Sequence, residues 1–131
     1  MYVYRLTYYT GGEETLPKRT KKFREILIDL INEKNITKTK FYTELDIKKP
    51  YFYDIISGKV NPPPPERQLD MIRILKPSKE KMVEFFNAAA TERGEVPVDI
   101  VIQLQNKEIV DNLRKGINYE QILKNGDDKH D

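Results

Sequence analysis

The chain has 131 residues, 34% of them charged, and a formal net charge of +2 at pH 7. This length suits one domain, or one domain with an appendage, and an apolar fraction of 38% is enough for one core without surplus. With no cysteine, a disulfide framework and a thiolate metal site are both excluded; no apolar run approaches the ~20 residues of a membrane span, and the opening residues lack the charged-then-apolar layout of a signal peptide, so a cytoplasmic protein is expected.

Residues 1–10, MYVYRLTYYT, are rich in Tyr and Val and read as a strand, broken by Gly11-Gly12 and followed by a linker that reaches Pro17. A lone strand leaves its backbone groups unpaired. Exchange with its copy in a second subunit, packing of its tyrosines on a helical core, and disorder all stay open for it. Lys21 to Asn35 carries Phe23, Ile26, Leu27, Leu30 and Ile31 at helical spacing and reads as the first helix. Thr37 is placed to cap a second helix, Lys38 to Leu45, whose Phe41 and Leu45 share a face. Ile47 follows and fills the gap before a third helix. Lys48, Lys49 and Pro50 open that helix, with Pro50 in the first turn, where a missing N–H costs nothing. Phe52 and Ile55 face inward; Lys49, Tyr53 and Asp54 lie on the opposite side; Gly58 ends the helix in a left-handed conformation.

Asn61 to Pro65 is an extended polyproline stretch. Glu66 to Leu75 is a fourth helix with Leu69, Ile72 and Leu75 inward. Ser78 caps a fifth, which runs to about Arg93 on a stripe of Met82, Phe85, Phe86 and Ala89. Val96-Pro97 marks a break. Val98 to Leu104, Glu108 to Lys115 and Tyr119 to Leu123 are short helices, and the polar run from Asn125 to Asp131 is expected to fray. The predicted fold class is all-α: a five-helix domain over 17–93, with an N-terminal strand or arm over 1–16, a helical extension over 94–124 and a flexible tail over 125–131. Most of Ile100, Ile102, Leu104, Ile109, Val110, Leu113 and Ile117 are expected to complete the core, a dimer seam being the alternative use.

Charge is uneven along this plan. Residues 17–60 hold 11 Lys/Arg and 6 Asp/Glu, for +5; residues 61–131 hold 11 and 13, for −2; residues 1–16 hold Arg5, Glu13 and Glu14, for −1. Positive charge therefore collects on the second and third helices and what precedes them, as expected of a surface that meets phosphate, a solvated lysine face being the alternative reading of the same charges.

The stretch ITKTKFYTELDIKKPYFYDIISGKVNPPPP, with AAATERGEVPVDI farther on, resembles the Xre/Cro, lambda-repressor-like family of helix-turn-helix proteins over roughly Lys21 to Ile102. The residues that carry the resemblance are Thr37, Leu45, Ile47, Tyr51, Asp54, Ile55, Gly58, Lys59, Asn61 and Pro62. It implies a sequence-specific, double-stranded DNA-binding transcriptional regulator, a repressor from a phage or mobile element, acting as a homodimer on two half-sites. Several positions depart from the family pattern. Tyr42 stands where a small residue is usual, and Asp46 where the turn usually has Gly, although Asp tolerates a left-handed backbone. Ile31 and Ile56 stand where many relatives pair an Arg with a Glu. Replacing a buried ion pair by packed aliphatic groups is often neutral or stabilising, so these two are expected to meet.

On this reading the third helix enters the major groove. Lys38, near the start of the second helix, is expected to meet a phosphate, aided by the free N–H groups of Thr37-capped α-structure and its positive dipole end. Lys48 and Tyr51 flank the groove, beside Pro50. Lys49 is the candidate base reader, since Lys donates to guanine O6 and N7; Tyr53 can rest on a thymine methyl; Asp54 can accept from cytosine N4 or brace Lys48 or Lys49. The resemblance implies phosphate contacts at Lys59 and Asn61. Lys18, Arg19, Lys21 and Lys22 are either further non-specific contacts or solvated.

Two other functional classes compete with this one. A helix-turn-helix scaffold acting through a protein partner, antitoxin-like or a phage-encoded inhibitor, is allowed by Tyr42, Pro50 and the tyrosine-rich leader. An enzyme is not expected: His130 is the only histidine and lies in the tail, Gly11-Gly12 lacks a phosphate-loop pattern, and Asp127-Asp128 reads as a solvated terminus. No cofactor or metal is expected.

Overall fold

The computed structural model describes residues 20–129, with side chains to Asn125. Over that range the chain is all-helical: α1 (Phe23–Lys34), α2 (Lys38–Leu45), α3 (Lys49–Ser57), α4 (Pro65–Leu75), α5 (Lys79–Arg93), α6 (Val98–Gln103), α7 (Lys107–Lys115) and α8 (Tyr119–Lys129). The strand expected within residues 1–16 lies outside the described residues, as do Lys18, Arg19 and His130. No described helix is long and apolar enough to cross a membrane.

Local chemistry at the ends explains the boundaries. Thr37 Oγ1 accepts from the Lys40 N–H at 3.0 Å, and Ser78 Oγ accepts from the Lys81 N–H at 3.3 Å, each satisfying one orphan donor of a first turn. Glu25 reaches back to the Lys22 N–H at 2.8 Å and starts α1. Each of α1 to α5 ends on a left-handed residue: Asn35, Asp46, Gly58, Lys76 and Gly94. A left-handed step reverses the chain, so five successive helices can fold back on one another.

The buried centre is built from Leu27 and Ile31 of α1, Phe41 of α2, Phe52 and Ile55 of α3, Met71 of α4, and Phe85 and Ala89 of α5. Phe23 and Phe85 tie α1 to α5 with ring centroids 4.9 Å apart; Phe41 and Phe52 tie α2 to α3 at 5.9 Å. α1 packs on α5, α3 and α4, α2 packs on α4 and α3, and α6 lies against α5 and α4. Ile31 is buried, and Ile56 is half-buried against this same core.

Two features differ from the expected packing. The face that α4 buries runs through Gln68, Met71 and Leu75, with Leu69 and Ile72 only half-buried at its sides. Gln68 is 1% exposed, and its Nε2 donates to the Pro63 carbonyl at 2.8 Å. A polar residue within an apolar stripe has no hydropathy signal; the polyproline backbone beneath it, which has carbonyls but no N–H groups to pair them, supplies the reason it is buried.

The second difference is a correction. The C-terminal apolar residues do not complete the core: Ile100, Ile102, Leu113 and Ile117 are exposed, and α7 buries no residue. Leu104, Ile109 and Val110 are half-buried. α6 is six residues long and lays only Val98 into the core. α7 and α8 form no extensive interface with the other described helices. α8 also continues to Lys129, past the Asn125 at which fraying was expected to begin.

Candidate nucleic-acid interface

α2 and α3 are joined by Asp46, Ile47 and Lys48. Asp46 takes φ 63°, its N–H donates to the Thr43 carbonyl at 3.0 Å, and the Ile47 N–H donates to the Tyr42 carbonyl at 3.1 Å. These two bonds close α2 with a Schellman-type turn, which Asp tolerates in place of Gly. Ile47 is half-buried against the core between the helices. From α4, Arg67 Nη1 donates to the Leu45 carbonyl at 2.9 Å, placing a cation on the C-terminal end of α2.

α3 begins at Lys49 with Lys48 as its N-terminal flanking residue and Pro50 in its first turn. Lys48, Lys49 and Pro50 are exposed, as are Tyr53, Lys59 and Asn61, whereas Lys38, Tyr51 and Asp54 are half-buried. Phe52 and Ile55 occupy the opposite, buried side. The expected two faces of α3 are thus present, and Tyr51 packs partly on the core. Tyr42, the bulky residue at a usually small position, lies half-buried against Phe52 at a centroid distance of 5.3 Å and meets Tyr53 edge-on at 6.4 Å. Tyr42 thereby steadies the outward ring of Tyr53.

The exit from α3 is fixed from two sides. Gly58 has φ 82°, and the Lys59 N–H donates to the Asp54 carbonyl at 2.9 Å. A Cβ on Gly58 would lie 2.8 Å from Nη1 of Arg24, a residue of α1 that covers this turn. Farther on, Arg93 Nη1 donates to the Pro62 carbonyl at 2.9 Å. The same guanidinium holds the Glu95 carboxylate through two bonds, at 2.9 and 3.1 Å. The hydrogen bonds to Glu95 raise the Arg93 pKa above its ordinary value and lower that of Glu95. Lys59 and Asn61 therefore project from a loop anchored at Pro62 by α5 and at Pro63 by α4.

Electrostatics separates α2 and α3 from the rest. Each other described helix has an acid in its first turn, namely Glu25, Glu66, Glu80, Asp99, Glu108 and Glu120. α2 and α3 have none there; they begin with Lys38 and Lys40, and with Lys48 and Lys49. A cation at a helix N-terminus opposes the helix dipole and costs about 0.3–1 kcal/mol. Among the described residues, Lys40 pairs with Glu44 at 3.6 Å, whereas Lys38, Lys48, Lys49 and Lys59 make no ion pair. Asp54 pairs with neither Lys48 nor Lys49.

No known protein family, curated protein or solved structure matches this chain.

The chemistry available is anion recognition. Two helix ends present N–H groups, a positive dipole and uncompensated ammonium groups, and an exposed tyrosine, Tyr53, and a half-buried aspartate, Asp54, lie farther along α3. All ten residues singled out in the sequence, Thr37 to Asn61, belong to α2, α3 or the segments that flank them. Sequence reading did not find Arg67, Arg24 and Arg93, which position those segments through backbone carbonyls and a glycine. Their only signal was charge within or beside otherwise ordinary helices.

Proposed function

We propose that this chain is a sequence-specific, double-stranded DNA-binding regulator of transcription, a repressor of the Xre/Cro helix-turn-helix type from a phage or mobile element. α2 and α3 are its helix-turn-helix, and α3 lies in the major groove. The observation that carries this reading is the charge at the starts of α2 and α3: neither has an acid in its first turn, as every other described helix does, and Lys38, Lys48 and Lys49 there make no ion pair among the described residues. That arrangement is unfavourable in the free protein and becomes favourable against a phosphate.

In this proposal Lys38, Lys48, Lys59 and Asn61 hold the sugar-phosphate rails and set the register of the protein on the duplex. Thr37 orients the start of α2, and Pro50 keeps the start of α3 free of a fourth N–H group. Lys49 reads a guanine edge, Tyr53 covers a thymine methyl, and Asp54, with no lysine partner of its own, is available to accept from cytosine N4. Tyr51 lies between groove and core and contacts the backbone.

The test is selection of binding sites from a random duplex pool, followed by gel shift at two salt concentrations. A recurrent motif and a band that weakens with salt are expected. The exposed Tyr53, held edge-on by Tyr42, favours one second reading: the same surface captures a protein partner, since tyrosines are enriched at such interfaces. A selection that enriches no motif, with no shift at low salt, would turn the assignment to that reading.

A further inference from the structure

We propose that the groove between α1 and α5 is the docking site of the segment that leads into it, Leu16 to Arg19, with Lys18 and Arg19 meeting the carboxylates of Glu84 and Glu92. This contact is independent of the DNA reading and uses none of the residues assigned to it.

The groove has a volume of about 750 Å³. Its floor is apolar, formed by the buried Ile26 of α1 and Ala88 of α5. Its α5 wall is polar and carries Glu84, Asn87, Thr91 and Glu92. No residue of α2 or α3 lines it. α1 and α5 run in opposite directions: Glu92, near the end of α5, accepts from the Phe23 N–H at 2.7 Å, and Lys81, near its start, pairs with Glu33 near the end of α1.

Charge is the first ground. Glu84 makes no ion pair among the described residues, and neither does Glu92, whose one engaged oxygen holds the Phe23 N–H. Two lysines also line the groove, but Lys21 is held by Asp29 at 2.9 Å, and Lys22 pairs with neither glutamate. The wall therefore offers two carboxylates that no described cation neutralises, beside an apolar floor. A guanidinium or ammonium group on a short apolar-containing segment suits it, because a charge-assisted bond to a carboxylate is about twice as strong as a neutral one.

Connectivity selects the occupant. Thr20, the first described residue, itself lines the groove. The chain enters the domain there, and the two residues before Thr20 are Arg19 and Lys18. Reach agrees with this. Glu84 and Glu92 are separated along α5 by about 12 Å at 1.5 Å per residue, and four residues span at most about 14 Å. An exposed ion pair adds little by itself. Covalent attachment, however, makes the encounter intramolecular, at an effective concentration that a free peptide does not reach. Leu16 adds an apolar side chain for the floor of Ile26 and Ala88. The pairing takes Lys18 and Arg19 away from any phosphate and anchors the tyrosine-rich leader on a face that α2 and α3 do not share.

A nitroxide on Pro17→Cys, unique in a chain without cysteine, tests this through paramagnetic relaxation of backbone amides in the full-length protein without DNA. The amides from Glu84 to Glu92 should broaden, and those of Lys38 and Lys49 should not. Glu84 is exposed, so Glu84→Lys leaves the core alone while turning an attraction into a repulsion. It should cut the relaxation enhancement at Thr91 about two- to fivefold, and adding Arg19→Glu should restore it. If Glu84→Lys unfolds the chain, the wild-type map at high salt takes its place, since screening of exposed charges should lower the enhancement as well. Broadening spread evenly over the surface, or centred on α2 and α3, would overturn the proposal. So would an enhancement on α5 that neither the substitution nor salt reduces. Broadening passed to isotope-labelled, spin-free chains mixed with nitroxide-bearing ones would overturn it too, by assigning the groove to the leader of a second copy.

Discussion

Arg67 of α4 donates a hydrogen bond of 2.9 Å to the carbonyl of Leu45, the last residue of α2. α2 has no basic residue in its own last turn, so the cation that its C-terminus favours comes from another helix. This contact fixes the end of α2, and hence the start of the turn into α3, to α4. Its charged donor and partly buried setting put its worth at about 1.5–3 kcal/mol. Arg67→Met should lower the urea midpoint accordingly with an unchanged m-value. A loss below a few tenths of a kcal/mol would mean that water replaces the guanidinium at no cost.

Gly58 and Gly94 make a matched pair. Both end a helix with positive φ, 82° and 70°, but a Cβ at Gly94 meets nothing within 4 Å while one at Gly58 meets Arg24. Each Gly→Ala should cost about 1–2 kcal/mol for the left-handed backbone. Gly58→Ala should cost more than Gly94→Ala, and Arg24→Ala should remove the excess, as thermal unfolding of the three single variants and of the Arg24→Ala, Gly58→Ala double would show. Equal costs at the two glycines would mean that the Arg24 side chain swings aside freely.

The lysines at the start of α3 should trade stability for binding. Lys49→Glu replaces a cation by an anion at a helix N-terminus, and should stabilise the free protein by about 0.3–1 kcal/mol while abolishing DNA binding. Lys49→Ala should cost about 1–3 kcal/mol at one base position and relax preference there. Unfolding curves and competition with single-base operator variants measure the two effects. Equal loss on every sequence would remove Lys49 from the role of base reader.

Phosphate contacts carry a different signature. Lys38→Ala should weaken binding to all sequences alike, and with about 4 phosphates neutralised per subunit the log–log salt slope should be roughly −4 per subunit. Lys38→Ala should reduce that slope by about 1. A slope near zero would point to a surface that does not meet a polyanion.

Local order was legible in the amino-acid sequence to the residue at several points. α2 was expected over Lys38 to Leu45 and is found there; Thr37 caps it, Asp46 turns it, Gly58 ends α3 and Ser78 starts α5. These features depend on hydrogen bonds and backbone preferences that reach three or four residues, so the chain states them directly. The outward placement of Lys49 and Tyr53 follows from the same periodicity once Phe52 and Ile55 are known to face inward.

What only the tertiary structure decided are relations between distant segments. Gln68 is buried because a polyproline loop leaves a carbonyl that needs a donor, and Arg67 and Arg93 matter because carbonyls 22 and 31 residues away fall within their reach. No periodicity encodes such a pairing. The fate of the C-terminal apolar rows was undecidable for the same reason. A stripe at helical spacing specifies that a face will be covered, but whether the cover is this chain's core depends on space, and α1 to α6 already close that core around Phe52, Met71 and Ala89.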